Sequence, residues 1–216
     1  HDIELIKKFR PIPKFDRDGF IKKAEVLGGN GIMRTFLWGY QGGSWQDACE
    51  LVGLENLIYA TVDDREWVHE LLTILTEQKL AYIEKHLSNL PLDLVETGGG
   101  ASSNTVISLS YHEEYCLPYD RILHEALHGL GYPVVYHTCG GMKHLLDIIP
   151  QNGADASETL SPVDMGGDFE KEDYRTVKQI LGAKIALIGG IDQFHVLPAD
   201  DDVIREDVEY KFDVLG

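Results

Sequence analysis

Pro133-Val134-Val135-Tyr136-His137-Thr138-Cys139-Gly140 sets an apolar run directly against a histidine and a thiol. A short apolar run bounded by turn residues predicts a buried strand, and its polar end is where a site would open. On extended backbone, residues i and i+2 project to the same side. His137 and Cys139 therefore face one way, and a single zinc ion, which favours Cys and His ligands, could bridge them. Two ligands fall short of the three that even an open catalytic zinc site needs. The other reading of the same pair is a histidine hydrogen-bonded at a strand end beside a small buried thiol.

Working outward, the pattern repeats. Apolar runs over Gly31 to Tyr40, Leu92 to Thr97, Pro133 to His137, Ala154 to Leu160 and Lys184 to Ile188 predict five strands. Amphipathic stretches between and after them predict helices over Ser44 to Ala60, Asp64 to Leu90, Tyr111 to Leu130, Gly141 to Gln151, Phe169 to Leu181 and Asp202 to Leu215. In the longest, Trp67, Val68, Leu71, Leu72, Leu75, Leu80, Ile83 and Leu87 recur at helical spacing, with Asp63 or Asp64 as N-cap. The segment ahead of the first strand, with Pro11 and Pro13, reads as a polar entry. Alternating strands and helices specify an α/β protein with a parallel sheet. Without a GxGxxG fingerprint, and with glycine-rich polar strand ends, a (β/α)8 barrel is expected over a doubly wound sheet, as one domain over residues 1–216. Five strands do not close an eight-stranded barrel, so on this reading the sequence is a fragment of about five βα units.

Composition narrows the function. The 36 acidic residues against 19 Lys and Arg give a formal charge of -17, which repels nucleic acid and anionic lipid over most of the surface. No run is long and apolar enough to span a membrane. Three scattered cysteines, Cys49, Cys116 and Cys139, do not make a disulfide framework and fit a reducing, cytoplasmic setting. Barrel enzymes build their sites at the C-terminal strand ends. Here those ends supply Trp38, Tyr40 and Gln41, then Glu96 and Thr97, then His137 and Cys139, then Glu158, then Asp192 and Gln193. Glu96, Glu158 and Asp192 are the candidate catalytic acids, with capping or loop-holding roles as the alternative.

Four stretches carry a resemblance to the uroporphyrinogen decarboxylase superfamily, and within it to the zinc- and corrinoid-dependent methyltransferases. Gly42-Gly43-Ser44-Trp45 resembles a Gly-x-Pro-Trp turn after the family's third strand. Leu109 to Tyr115 with Leu117-Pro118-Tyr119 resembles the segment that opens the helix after its fourth. His137-Thr138-Cys139-Gly140 matches the methyltransferases' His-x-Cys, and Ile188-Gly189-Gly190-Ile191-Asp192 resembles a Gly-Asn-x-Asp turn after the seventh strand.

The resemblance implies a barrel of which the first two strands and the eighth lie outside this sequence, together with the decarboxylases' arginine-rich motif and the methyltransferases' third zinc ligand. It implies zinc on His137 and Cys139 and a substrate site drawing on Trp38, Tyr40, Glu50, Asn104 and Gln193. Glu50 stands where decarboxylases carry a tyrosine and Asn104 where they carry a serine, and both departures weigh against decarboxylation. The implied activity is methyl transfer between methylcobalamin and a zinc-activated acceptor such as a thiol. The expected partners are a corrinoid protein and a small-molecule methyl donor or acceptor, with a homodimer as the assembly considered. Uroporphyrinogen decarboxylation and non-catalytic corrinoid or tetrapyrrole binding are the competing expectations.

Overall fold

The computed structural model describes residues 2–39 and 41–216. Its five strands, β1 (Arg34–Phe36), β2 (Leu94–Gly98), β3 (Val134–His137), β4 (Ala156–Thr159) and β5 (Ala186–Gly189), pair in parallel and in strict chain order. That order decides the architecture. A doubly wound sheet reverses at a switch point, whereas a barrel wall advances one strand at a time. The chain therefore forms five consecutive βα units of a barrel.

Register sorts the side chains onto two faces. Phe36 lies opposite Glu96, His137 opposite Glu158, and Glu158 opposite Ile188. The alternate positions Val95, Val134 and Tyr136 turn toward the helices and pack with Leu123 and Leu127 in the main core. The two edge strands are more open, and Phe36 and Ile188 stay exposed.

The first strand is shorter than the sequence suggests. Gly39, Gln41 and Gly42 all adopt positive φ, and this tight turn ends extended structure soon after Phe36. The polar entry instead holds two helices, α1 (Asp2–Phe9) and α2 (Arg17–Leu27). Ile3 of α1 is buried in a second apolar cluster with Trp45, Leu71, Leu72 and Tyr115. The helix expected over Ser44 to Ala60 divides at Gly53 into α3 (Ser44–Val52) and α4 (Leu54–Asp63). Asp64 caps α5 (Arg65–Tyr82), accepting from the Trp67 N–H at 3.1 Å.

Beyond β2, α6 (Leu109–Tyr111) runs through a π turn, His112–Cys116, into α7 (Leu117–Gly129). Pro118 has no N–H to give the Glu114 carbonyl, and the Leu117 N–H reaches back to His112 instead, which widens the turn. Cys49 and Cys116 are buried, and burial pushes the Cys49 thiol up to about 12. The helix expected over Gly141 to Gln151 is replaced by 3-10 turns at Lys143–Leu145 and Ile149–Asn152. Asp168 accepts from the Met142 and Lys143 N–H groups and Asn104 from that of His144, so a tertiary anchor replaces the helical one. Phe169 is likewise non-helical. It bridges to Pro162, and α8 begins four residues later (Asp173–Leu181), followed by α9 (Asp201–Leu215).

Candidate active site at the strand ends

Three neighbouring strands each place one polar side chain on the face turned away from the helices: Glu96 from β2, His137 from β3 and Glu158 from β4. His137 Nδ1 lies 2.8 Å from Glu158 Oε1 and 3.3 Å from Glu96 Oε1. From β1, Arg34 reaches across both carboxylates, pairing with Glu96 and lying 3.4 Å from Glu158. Burying two carboxylates this deeply would be costly without a counter-charge, and Arg34 supplies it. Burial works against ionisation of Glu158, but His137 and Arg34 outweigh it and hold the carboxyl below its ordinary range. Burial also works against the imidazolium of His137, yet hydrogen bonds to Cys139 and Glu158 bring it up to about 9. The Cys139 thiol is lowered, foremost by its hydrogen bond to His137.

The other imidazole nitrogen is held by Gln41. The Gly100 N–H donates to Gln41 Oε1 at 2.9 Å, which turns the amide nitrogen toward His137 Nε2 at 2.8 Å and Cys139 Sγ at 3.9 Å. With the amide so oriented, Nε2 accepts when the imidazole is neutral, and Nδ1 donates to the carboxylates in either form. This tautomer and the imidazolium differ by one proton on Nε2, the atom a metal would take. A histidine ligand whose second N–H is fixed by a carboxylate is the usual arrangement around protein-bound zinc.

The donor pair fits zinc in chemistry and in direction. His137 Nε2 and Cys139 Sγ both meet one atom of Gln41, so one ion in that region would meet both. Among the described residues no third Cys, His or carboxylate gathers with this pair. The groups that do gather are Glu96, His137 and Glu158, and separately Asp164, Asp192 and His195. In the first, the carboxylates are engaged with Arg34 and the Nδ1 side of His137.

The structure thus brings Glu96, Glu158, His137 and Cys139 together and places the other candidates elsewhere. Asp192 holds its own loop, accepting from the Phe194 and His195 N–H groups and pairing with His195 Nδ1 at 2.8 Å. Trp38 packs against Tyr82 beneath the Arg10 guanidinium. Glu50 is exposed on α3, where it accepts from Gln46. Asn104 binds Asp168 and the His144 N–H, and Gln193 is exposed. Tyr40 lies outside the described residues.

Two participants were not singled out from the sequence. Arg34 sits within the first apolar run, and only the register of β1 on β2 shows that it lies two residues before the partner of Glu96. Gln41 stands in the strand-end set, but a glutamine before two glycines has no spacing signal of its own.

The family model described as Uroporphyrinogen decarboxylase (URO-D) matches residues 3–213. The chain belongs to the uroporphyrinogen decarboxylase family. Among solved structures it is similar to a methyltransferase from Methanosarcina mazei, with a TM-score of 0.74 at 15% identity over 91% of this chain and 54% of that one. The chain therefore shares that protein's fold and spans about half its length. No curated protein matches the sequence. Among the described residues no helix is long and apolar enough to cross a membrane.

Proposed function

We propose that this chain belongs to a methyltransferase that moves a methyl group between a corrinoid on a partner protein and a small acceptor such as a thiol, using zinc held by His137 and Cys139. The observation that carries the reading is the convergence of His137 Nε2 and Cys139 Sγ, with Nδ1 fixed from behind by Glu158. Zinc bound there would supply Lewis acidity that lowers the acceptor's pKa. The chain's own residues set the conditions. Glu158 and Glu96 hold the Nδ1 proton and fix the ring's orientation, and Arg34 balances their charge. The strand ends around Cys139 provide the surface on which acceptor and corrinoid meet.

Arg34 also bears on the competing reading. A decarboxylase needs cations free to hold substrate carboxylates, and Arg34 is already spent on two carboxylates of the chain itself. This favours methyl transfer over decarboxylation.

Zinc content per chain, measured after purification without added metal and beside Cys139→Ala, tests the proposal. Near-stoichiometric zinc that is lost in the variant supports it, and methyl transfer from methylcobalamin to thiols should then be lost in the same variant. Absence of zinc from both proteins overturns it and leaves decarboxylation or ligand binding.

A further inference from the structure

Gln41 holds an unusual position for its residue type. Its φ is +62°, a left-handed conformation that residues with a Cβ adopt at a cost. The backbone beyond it is pinned, since the Gly43 N–H donates to the Gly98 carbonyl at 2.7 Å. A Cβ on Gly43 would lie 2.6 Å from that carbonyl oxygen, so the turn and the strand end can close on each other only with glycine. The result is a side chain launched from a fixed point into the space between His137 and Cys139.

All of its amide hydrogen-bonding is committed there. Gln41 Oε1 accepts from the Gly100 N–H, while Nε2 faces both His137 Nε2 and Cys139 Sγ. Packing is close on the far side as well, because a Cβ on Gly100 would lie 2.8 Å from Cys139 Sγ. The amide nitrogen, a hydrogen-bond donor, thus lies where both metal-donor atoms point. A cation and a hydrogen-bond donor make the same demand on a lone pair, so the two compete for one position.

We propose that Gln41 is a placeholder for the metal: its amide satisfies His137 and Cys139 in the metal-free protein, must withdraw for the pair to be loaded, and so sets the site's affinity. This rests on the zinc reading above. The hydrogen bonds that loading breaks are neutral or weak, each of order 1 kcal/mol, which corresponds to roughly fivefold in a binding constant. Gln41 is a positioning residue in this account, not a catalytic one.

Two substitutions separate the outcomes. Gln41→Gly suits the left-handed backbone and removes the competing amide. Gln41→Glu keeps the shape and the bond to Gly100 but puts a carboxylate oxygen where the amide nitrogen was, adding an acidic ligand to the pair. Cobalt(II) binding to the full-length protein that carries this chain, read from thiolate-to-cobalt charge-transfer absorption and by equilibrium titration, requires no enzymatic activity. Thermal melts establish that each variant is folded.

The expected result is binding several-fold tighter than wild type in Gln41→Gly, and tighter again in Gln41→Glu with a changed cobalt spectrum. Binding in wild type that is unchanged or weaker in Gln41→Gly overturns the placeholder while leaving the zinc reading intact. Absence of a cobalt–thiolate band from wild type and both variants, with Cys139→Ala indistinguishable from them, overturns both. Should Gln41→Gly fail to fold, Gln41→Glu decides alone, since a placeholder turned ligand must tighten binding.

Discussion

The two faces of the sheet treat their titratable side chains in opposite ways. On the face carrying the candidate site, Glu158 is held ionised and His137 is raised to about 9. On the helix-facing side, Asp120 of α7 is pushed up to about 7 and His124 down to about 4. Desolvation acts on all four groups. Asp120 and His124 are the more completely desolvated, and the partners differ too, because Glu158 and His137 have each other and Arg34, whereas Asp120 accepts from the neutral Tyr136 hydroxyl at 2.7 Å. His124 similarly bridges the Thr97 hydroxyl and the Asn152 carbonyl. A buried carboxylate given counter-charges stays ionised beside an open strand end, where it can hold the Nδ1 proton of His137. Side chains whose hydrogen bonds are to neutral groups are pushed toward their neutral forms, Asp120 to about 7 and His124 to about 4.

Removing the counter-charge should collapse that distinction, with the largest effect on stability. Arg34→Met leaves Glu96 and Glu158 buried with only His137 to balance them. The expected loss is about 3 kcal/mol, at the low end for a broken buried pair because Arg34 is half open to solvent. Urea unfolding at pH 7 measures it. A loss below about 0.5 kcal/mol would make this network no stronger than surface ion pairs, and the contrast between the faces would fail.

The neutral face is sharpened by pH. Asp120, with a folded pKa above its unfolded value, stabilises fully only below the ordinary carboxylate range, and the contribution is lost progressively as pH rises to about 7. Asp120→Asn keeps an acceptor for Tyr136 without the charge. The variant should therefore gain roughly 2–3 kcal/mol on wild type between pH 5 and pH 8. His124 has the opposite sign. Its folded pKa is depressed, so its contribution is present above about 6.5 and is lost as pH falls toward 4. His124→Gln should flatten the acid side of the curve by about 2 kcal/mol between pH 7 and pH 5. In wild type the two slopes oppose each other, so melts of the single variants across pH resolve what the parent profile hides. A pH-independent difference between Asp120→Asn and wild type would mean that Asp120 ionises freely, and the two faces would not differ as described.

How much of this was legible in the sequence follows from the range of each interaction. Strands announce themselves by local apolar runs, and Glu96, His137, Glu158 and Cys139 by standing at the ends of those runs. The parallel sheet followed from alternation with helices, and the barrel over a doubly wound sheet from glycine-rich polar strand ends without a GxGxxG fingerprint. Register is not local. Nothing in residues 31 to 40 says that Arg34 will span Glu96 and Glu158, so the counter-charge that makes the site tolerable stayed hidden. The same limit explains the turns after β3, where Asp168, over twenty residues away, outcompetes a helix, and Asp192, whose strand-end position pointed to a site but whose carboxylate closes its own loop.

The smallest effect is expected from the molecule's other gathering of two carboxylates and a histidine, and it tests whether composition alone makes a site. Asp164, Asp192 and His195 lie near one another on loops, yet Asp164 and His195 are about two-thirds exposed. Asp192 spends its carboxylate on backbone N–H groups of residues 194 and 195. Water screens the exposed pair and leaves it little interaction energy, and although Asp192 holds His195 Nδ1 at 2.8 Å, that ring stands largely in solvent on a loop, whereas His137 is fixed on a strand. Asp164→Ala should change unfolding stability by less than about 0.5 kcal/mol and leave the number of cobalt ions bound per chain unaltered. A fall in that number would show that the loop cluster holds an ion despite its exposure, and orientation by a rigid sheet would no longer be what distinguishes the His137 site.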